Sequence, residues 1–398
     1  MKPEDLYRTP NALAPHYRQF RVAERLLLTG HSHQAWPEVG LEAQRRAWLD
    51  AAELVDDKWD RAFAQAERVR RGFARLLGER DADIALGANT HELVVRFLSA
   101  LPLDRRPRLV TTDGEFHTIR RQLDRLAEAG IEVMQVPSRP AAQVAERLAK
   151  MVTDRTAAVL VSAVLYENAH IVPNLPETFA ACRRFGAELL VDVYHALNVV
   201  PFSLQGLEGA YVVGGGYKYC QLGEGNCFLR IPKDCALRPV VTGWFSEFAL
   251  LAERHTAGRT EYGNGAARFA GATYDPTSHY RAAAVFDFHE QQSLTPELLR
   301  TVSQHQIALI MDRFDALDLD RKVIDRDRRS VSLDAMGGFL ALRAPRAGEV
   351  SRALRERGVW TDYRGDRLRL GPAPYLSDEQ LEKAVGLLGE VARQVSPI

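Results

Sequence analysis

The feature that most constrains the fold is a series of short apolar segments between residues 108 and 215, separated by amphipathic ones. Such apolar segments, without polar alternation, are typical of strands buried on both faces of a sheet. Helical segments between them favour a mainly parallel α/β sheet. The segments are RLVTTD (108–113), IEVMQVP (131–137), AAVLVSAVL (157–165), ELLVDV (188–193) and AYVVGG (210–215).

The last third of the chain has a different pattern, with long helices followed by shorter strands and helices. This pattern predicts a smaller α+β domain. We predict an N-terminal segment (1–45) that packs with this small domain, a large domain (46–285) and the small C-terminal domain (286–398). With 398 residues, 46% of them hydrophobic, the chain can bury cores of this size.

Charge and cysteine content exclude several classes of protein. Lys+Arg and Asp+Glu both number 52, so bulk charge favours neither nucleic-acid nor membrane-surface binding. The four cysteines form no CxxC pair, which argues against structural zinc and agrees with a reduced compartment. Because the first 20 residues have no long apolar core, we expect neither a signal peptide nor a membrane span, and a cytoplasmic location.

The glycine-rich stretch VVGGGYKYCQLGEGN (212–226) contains a lysine, Lys218, between two tyrosines. A phosphate-binding P-loop needs glycine before the lysine and a serine or threonine after it, and Tyr217 and Tyr219 occupy those positions. Tyr219 also breaks a dinucleotide-binding GxGxxG pattern. The remaining chemical interpretation is a buried lysine with a lowered pKa that condenses with an aldehyde, of which pyridoxal phosphate (PLP) is the usual one.

PLP chemistry also needs an acidic group to keep the ring nitrogen protonated. Asp192 is the best candidate, because it lies at the carboxyl end of a predicted strand, where parallel sheets bind ligands. An aspartate that caps the next helix is the alternative. Asp192 and Lys218 follow two successive predicted strands, and this joint pattern favours a PLP site.

Three blocks carry a resemblance to a known family: VDVYHALNVVPFSL (191–204), GAYVVGGGYKYCQLGEGNCFLRIP (209–232) and TDYRGDRLRLGPAPYLS (361–377). The sequence resembles kynureninase-like members of the class V aminotransferase group, which are fold-type I PLP enzymes. The resemblance extends from LLTGHSHQAWP (27–37) to the C-terminus. It implies PLP as cofactor, a large domain with a mainly parallel sheet and a smaller α+β C-terminal domain.

The resemblance also implies roles for individual residues. Lys218 matches the lysine that forms the imine and moves protons on the substrate, and Asp192 matches the partner of the ring nitrogen. His195 matches a histidine near the cofactor, and Tyr217 matches a tyrosine that binds the phosphate and serves as a proton donor. Phe116 matches the aromatic residue stacked on the ring.

The remaining roles concern the phosphate and the substrate. Thr90, flanked by Asn89 and His91, matches a phosphate contact at a helix start, where free N–H groups favour anions. Trp244 matches a phosphate-side tryptophan, and Thr273 a residue that reaches the phosphate from a partner subunit. Arg369 matches the arginine that clamps the substrate carboxylate. Each side chain also has a purely structural interpretation as core, cap or ion pair.

Three segments depart from the family pattern. Leu165 replaces a polar neighbour of Tyr166, which removes an expected contact to the cofactor oxygen. The segment GHSHQ (30–34) carries His31 and His33 where Asn and Leu are usual, and GWFSE (243–247) lacks a histidine near the substrate side chain. We assign His31 and His33 to the substrate pocket rather than to metal, and predict no metal site.

These features predict a PLP-dependent enzyme that acts on an L-amino acid, as a homodimer with active sites at the subunit interface. The activity favoured is kynureninase-like hydrolysis, as in tryptophan catabolism, which releases alanine and an anthranilate-type acid. A C–S lyase or an aminotransferase of the same group is the alternative, and a non-catalytic PLP-binding protein is the second. The absence of cysteine between Gly243 and Gly271 argues against a cysteine desulfurase.

Overall fold

The structure is a computed structural model that describes residues 1–251, 258–326 and 331–395. Its strands are β1 (Leu26–Leu27), β2 (Asp83–Gly87), β3 (Arg108–Thr112), β4 (Glu132–Val136), β5 (Thr156–Ser162), β6 (Glu188–Asp192), β7 (Tyr211–Gly215), β8 (Cys227–Ile231), β9 (Leu340–Arg343), β10 (Val359–Trp360), β11 (Asp362–Arg364) and β12 (Arg367–Leu370).

The α-helices alternate with the strands through the first two thirds of the chain. They are α1 (Glu4–Tyr7), α2 (Val39–Leu54), α3 (Lys58–Leu76), α4 (Thr90–Ser99), α5 (His117–Glu128), α6 (Val144–Met151), α7 (Leu175–Phe185), α8 (Thr277–Gln291), α9 (Pro296–Ala316), α10 (Ala347–Glu356) and α11 (Asp378–Gln394). None of these described helices is both long enough and apolar enough to cross a membrane.

A seven-stranded sheet forms the centre of the large domain, in the order β2-β8-β7-β6-β5-β3-β4. The neighbours from β7 to β4 pair in parallel, whereas β8 runs antiparallel to both β7 and β2. The five apolar segments are the strands β3 to β7. The predicted mainly parallel α/β sheet is therefore confirmed, with one antiparallel strand inserted near its edge.

Both faces of this sheet are buried, which explains the absence of polar alternation in its strands. Val159 and Val161 of β5 pack in one core with residues of α3, α6, α7 and α8. Ala158 and Leu160 of the same strand pack in a second core with residues of α4 and α5. Because successive strand residues point to opposite faces, a strand between two helical layers must be apolar at every position.

A third core holds the small domain and the N-terminal segment together. The antiparallel sheet β11-β12-β9 lies in it, and Leu26 of β1 pairs in parallel with Val359 of β10. Leu6 and Tyr17 pack in this core with residues of α9 to α11. Helix α8 contributes Phe286 to the large-domain core and Phe288 to this one. The division predicted after residue 285 therefore falls inside a continuous helix.

Candidate active site

A cavity of about 260 Å³ lies at the carboxyl end of β6, and residues that follow β7 also line it. Asp192 ends β6, where it is in register with Ser162 of β5 and Val213 of β7. Lys218 follows shortly after β7. The predicted residues that line this one cavity are Asn89, Thr90, His91, Phe116, Asp192, His195, Tyr217 and Lys218.

Lys218 is held in the cavity by a tightly folded loop. A Cβ atom at Gly216 would lie 2.4 Å from Leu222 Cδ1, and Gly225 has a φ of +85°, so both positions require glycine. The Lys218 side chain is only 5% exposed, and its Nζ lies 2.7 Å from His195 Nε2. Burial lowers the pKa of Lys218 to about 7, against the opposing charge of Asp192. A large fraction of this amine is therefore neutral and nucleophilic near pH 7.

Asp192 turns one carboxylate oxygen to the backbone and leaves the other for the cavity. Its Oδ1 accepts a hydrogen bond of 2.8 Å from the N–H of Tyr194, and Oδ2 has no donor among the described residues. Burial raises the pKa of Asp192, while the Tyr194 N–H and the Lys218 charge oppose that rise. The side chain thus serves as a local cap and still offers an acceptor to a ligand.

His195 and Phe116 form the wall beside the lysine. His195 is buried, and burial, followed by the charges of Lys218 and Arg369, holds its pKa well below the usual value. A neutral His195 can accept a hydrogen bond from Lys218. The Phe116 ring centroid lies 6.2 Å from that of His195 and 5.4 Å from Lys218 Nζ. An aromatic face therefore lies next to the amine.

The opposite end of the cavity is suited to an anion. Helix α4 begins there at Thr90, and the side chain of its N-cap, Asn89, accepts a hydrogen bond of 2.9 Å from the N–H of Glu92. The first N–H groups of a helix lack intrahelical partners and attract negative charge. Tyr217 lies beside this end, with its ring stacked on His33 at 4.8 Å.

These groups fit PLP. The aldehyde of PLP needs a partly neutral amine, and its ring nitrogen needs an acidic acceptor. The ring needs an apolar surface to pack on, and the phosphate needs a site rich in hydrogen-bond donors. Lys218, the free oxygen of Asp192, Phe116 and the start of α4 supply them in one cavity.

The substrate side of the site is a β-hairpin of the small domain. Arg369 of β12 is 3% exposed and lies directly across from Asp362 of β11. Its Nε and Nη2 lie 2.7 and 2.6 Å from Asp362 Oδ1, and its Nη1 donates to the carbonyl of Tyr166 at 2.7 Å. Arg369 itself is not among the residues that line the cavity.

Opposite charges stabilise the contact between Arg369 and Asp362. Burial raises the pKa of Asp362, but His31 and Arg369 outweigh burial and hold it well below its usual value. Burial in turn lowers the pKa of His31 to about 4. Arg369 is therefore the cation that stays beside Asp362 at neutral pH.

His31 and His33 lie in different surroundings. His31 is fully buried, its ring centroid lies 4.6 Å from that of Phe339 at an interplanar angle of 31°, and its Nε2 lies 3.6 Å from Asp362 Oδ1. Neither of its ring nitrogens has a hydrogen-bond partner within the described ranges. His33 is exposed, 3.6 Å from Glu224. The described residues contain no group of three metal-ligating side chains. His31 stays a candidate for the substrate pocket, whereas His33 contacts Tyr217.

Two predicted cofactor residues do not line the cavity of their own chain. Trp244 is 44% exposed and packs against Phe245 and Phe248. Thr273 lines a neighbouring groove of about 1280 Å³ that shares Glu224 and Gly225 with the cavity. The roles of Trp244 and Thr273 at the cofactor therefore stay predictions.

Leu165, one of the departures from the family pattern, lies in the core of the large domain. Its side chain is buried in the large-domain core and does not line the cavity. Position 165 therefore supplies no contact to the cavity, and the loss of a polar contact there stays a prediction. Tyr166, which follows, has its ring 5.4 Å from that of Phe116.

Sequence reasoning missed three residues next to the site. Tyr194 has its ring 4.8 Å from Lys218 Nζ, Asp362 holds Arg369, and Glu115 is buried beneath Phe116. Asp362 could have been found, since a hairpin turn at Gly365 brings it level with Arg369. Neither Tyr194 nor Glu115 has such a signal in one sequence.

Comparison with known proteins agrees with this geometry. Residues 321–388 match the family described as kynureninase C-terminal domain. The chain is 26% identical over 408 residues to a kynureninase of Pseudomonas fluorescens, covering 96% of this chain and 92% of the relative. It is 23% identical over 344 residues to an uncharacterized aminotransferase, YcbU, of Bacillus subtilis, covering 85% of this chain and 87% of the relative.

A similar fold occurs in a solved structure of a C-DES mutant with glycine covalently linked to the PLP cofactor. The TM-score is 0.82 at 18% identity, and the match covers 94% of this chain and 98% of that one. The fold and the resemblance expected from the sequence are both confirmed. The chain is a PLP-dependent enzyme with the fold-type I architecture, similar to kynureninases and to enzymes of the class V aminotransferase and cysteine desulfurase group.

Proposed function

We propose that the protein hydrolyses the Cβ–Cγ bond of kynurenine or a related aryl-keto L-amino acid. The observation that carries the proposal is Arg369, a buried guanidinium that Asp362 and Tyr166 hold in place near Lys218. The positive charge of Arg369 contributes to lowering the pKa of both Lys218 and His195. Such a guanidinium suits an α-carboxylate, which it can bind in a bidentate pair.

Each residue would have a separate role in the reaction, according to its position in the site. When bound, PLP supplies an electron sink for the electron pair left at the substrate Cα. Arg369 would orient the substrate by its carboxylate. Lys218, with a pKa near 7, would take the proton from Cα and later return a proton to the former Cβ. Asp192 would hold the ring nitrogen, and Phe116 would keep the ring flat and exclude water from that face.

The net reaction consumes one water. The Cβ–Cγ bond breaks, the water oxygen stays on the former γ-carbonyl carbon as a carboxylate, and Cβ gains a proton to become the methyl group of alanine. Tyr217, whose pKa is raised by burial, stays protonated at neutral pH and can donate a proton.

The test is incubation of the PLP-loaded protein with L-kynurenine and with 3-hydroxykynurenine. We expect alanine and the corresponding anthranilate in equal amounts, and no product from Lys218→Ala. Turnover of cysteine conjugates without any anthranilate would overturn the proposal in favour of a C–S lyase.

Aminotransfer is the second candidate, favoured by the altered segment GWFSE (243–247) and by similarity to the Bacillus aminotransferase. An aminotransferase would release a keto acid from the amino acid and need a keto acid as acceptor. Omission of the acceptor therefore separates the two activities: hydrolysis continues without it, and aminotransfer stops after one turnover.

A non-catalytic PLP-binding protein is the third candidate. A protein of this kind would show the visible absorbance of bound PLP, and Lys218→Ala would lose it. It would form no product from any of these amino acids. The buried guanidinium of Arg369 and the partly neutral Lys218 favour catalysis over this role.

We also propose a homodimer with active sites at the interface. Trp48, Val240, Trp244 and Phe248 are 79%, 81%, 44% and 45% exposed, which is unusual for large apolar side chains. A second copy would cover them and bring Thr273 towards the cavity of its partner. Light scattering tests this: we expect a dimer that Trp244→Glu weakens, and a fully active monomer would overturn the proposal.

A further inference from the structure

Glu115 is a buried acid directly beneath the cofactor cavity that the catalytic roles above do not use. It lies between the end of β3 and the start of α5, and its side chain is 1% exposed. The next residue in the chain is Phe116, the aromatic wall of the cavity.

The Glu115 carboxyl group joins the ends of two strands. Oε1 accepts from the hydroxyl of Thr112 at 2.7 Å and from the N–H of Ser162 at 3.2 Å, and Oε2 accepts from the hydroxyl of Ser162 at 2.6 Å. Ser162 is itself in register with Asp192. The carboxyl group of Glu115 therefore lies behind the acid that faces the cavity.

No cation among the described residues forms an ion pair with Glu115, and a second carboxyl group, that of Asp192, lies near it. Burial first, and then the charge of Asp192, raise the pKa of Glu115 to about 7, against the hydrogen bonds from Ser162 and Thr112. Asp192 is the titratable group that faces Glu115, and Lys218 and His195 face Asp192 from its other side. Two neighbouring buried carboxyl groups do not ionise independently.

We propose that Glu115 is a positioning residue of the cofactor site: its hydrogen bonds fix Phe116 against the ring, and its proton sets the charge that Asp192 presents to the cofactor. The proposal rests on the PLP site and not on the reaction catalysed. Near neutral pH a protonated Glu115 leaves Asp192 as the ionised acid. At higher pH Glu115 adds a second negative charge, which favours a protonated cofactor.

The first test is Glu115→Gln, a neutral side chain of the same shape, in the PLP-loaded protein without substrate. The pH dependence of the visible absorbance is the readout. Because the charge gained above pH 7 is absent in the variant, we expect its spectral midpoint at lower pH than in the unmodified protein. The control is Glu188→Gln, a carboxyl group whose pKa burial also raises, at the other end of β6. The control titration should match that of the unmodified protein.

The second test is Glu115→Ala, which removes the hydrogen bonds to Thr112 and Ser162. We expect the Kd for PLP to rise about 2- to 10-fold, the effect of losing a hydrogen bond between neutral groups that holds Phe116 in place. Unchanged PLP affinity in this variant would overturn the positioning role. If the variant does not fold, Glu115→Gln decides: a titration superposable on that of the unmodified protein overturns the proposal. Because no readout uses a substrate, a failure here is separate from a failure of the proposed hydrolysis.

Discussion

The cofactor side and the substrate side of the cavity are built from different parts of the chain. Asp192, His195 and Lys218 come from consecutive strand ends of one sheet, within 27 positions of sequence. Arg369 and Asp362 come from a hairpin of the small domain, and His31 from the N-terminal segment. In the proposed function, the sheet edge would fix the chemistry common to PLP enzymes, while the separate elements would determine which substrate fits.

The largest effect is expected when the negative charge of Asp192 is removed from the cofactor side. Asp192→Asn keeps the shape of the side chain but loses the anion that holds the ring nitrogen. We expect turnover to fall about 10²- to 10³-fold, as when a preorganised electrostatic partner is removed. Steady-state assay with kynurenine measures it.

The matched control is Asp113→Asn. Asp113 accepts a hydrogen bond of 2.8 Å from the N–H of Ser138 near the same edge of the sheet but does not line the cavity. If the two variants lose turnover to the same extent, the cofactor side has no special dependence on Asp192.

A smaller effect is expected on the substrate side. Arg369→Lys keeps the positive charge but cannot form the bidentate pair with a carboxylate. We expect KM to rise about 10- to 100-fold, from the loss of a charged hydrogen bond, while the spectrum of bound PLP is unchanged. Arg343→Ala, on the neighbouring strand β9, is the exposed control. A spectrum that changes with Arg369→Lys would mean that the two sides are not separate.

The cofactor side was accessible from the sequence because its residues follow apolar strands in local order. The rule that ligands bind at the carboxyl ends of parallel strands then brings Asp192 next to the lysine segment. Glu115 was missed for a physical reason, because its partner Ser162 lies 47 positions further along the chain. Asp362 depends only on the local hairpin that pairs it with Arg369, so this contact was accessible from the sequence. Neither Thr273 nor Trp244 lines the cavity, so a cofactor role for either residue depends on the proposed dimer.

The smallest expected effect concerns stability rather than catalysis. Asp362 has a lowered pKa in the folded state, so its contribution is complete above the unfolded-state pKa and is lost as pH falls through and below about 4. We expect Asp362→Asn to lower the free energy of unfolding by about 1.5–3 kcal/mol at pH 7.

Denaturant unfolding at a series of pH values checks this prediction. The difference between Asp362→Asn and the unmodified protein should shrink as the solution becomes acidic. The reason is that Asp362 takes up a proton in the unfolded state at a pH at which it is still ionised in the folded state. A difference that stays constant from pH 7 to pH 3 would contradict the ion pair with Arg369.

The central claim is that Lys218 is desolvated so that its amine is available to PLP at neutral pH. Addition of PLP to the cofactor-free protein at a series of pH values, with the visible absorbance as readout, tests it most directly. We predict a band whose rate of appearance rises with pH through a midpoint near 7, and no band with Lys218→Ala. The same band in Lys218→Ala, or a midpoint near the usual lysine value of about 10.4, would contradict the account.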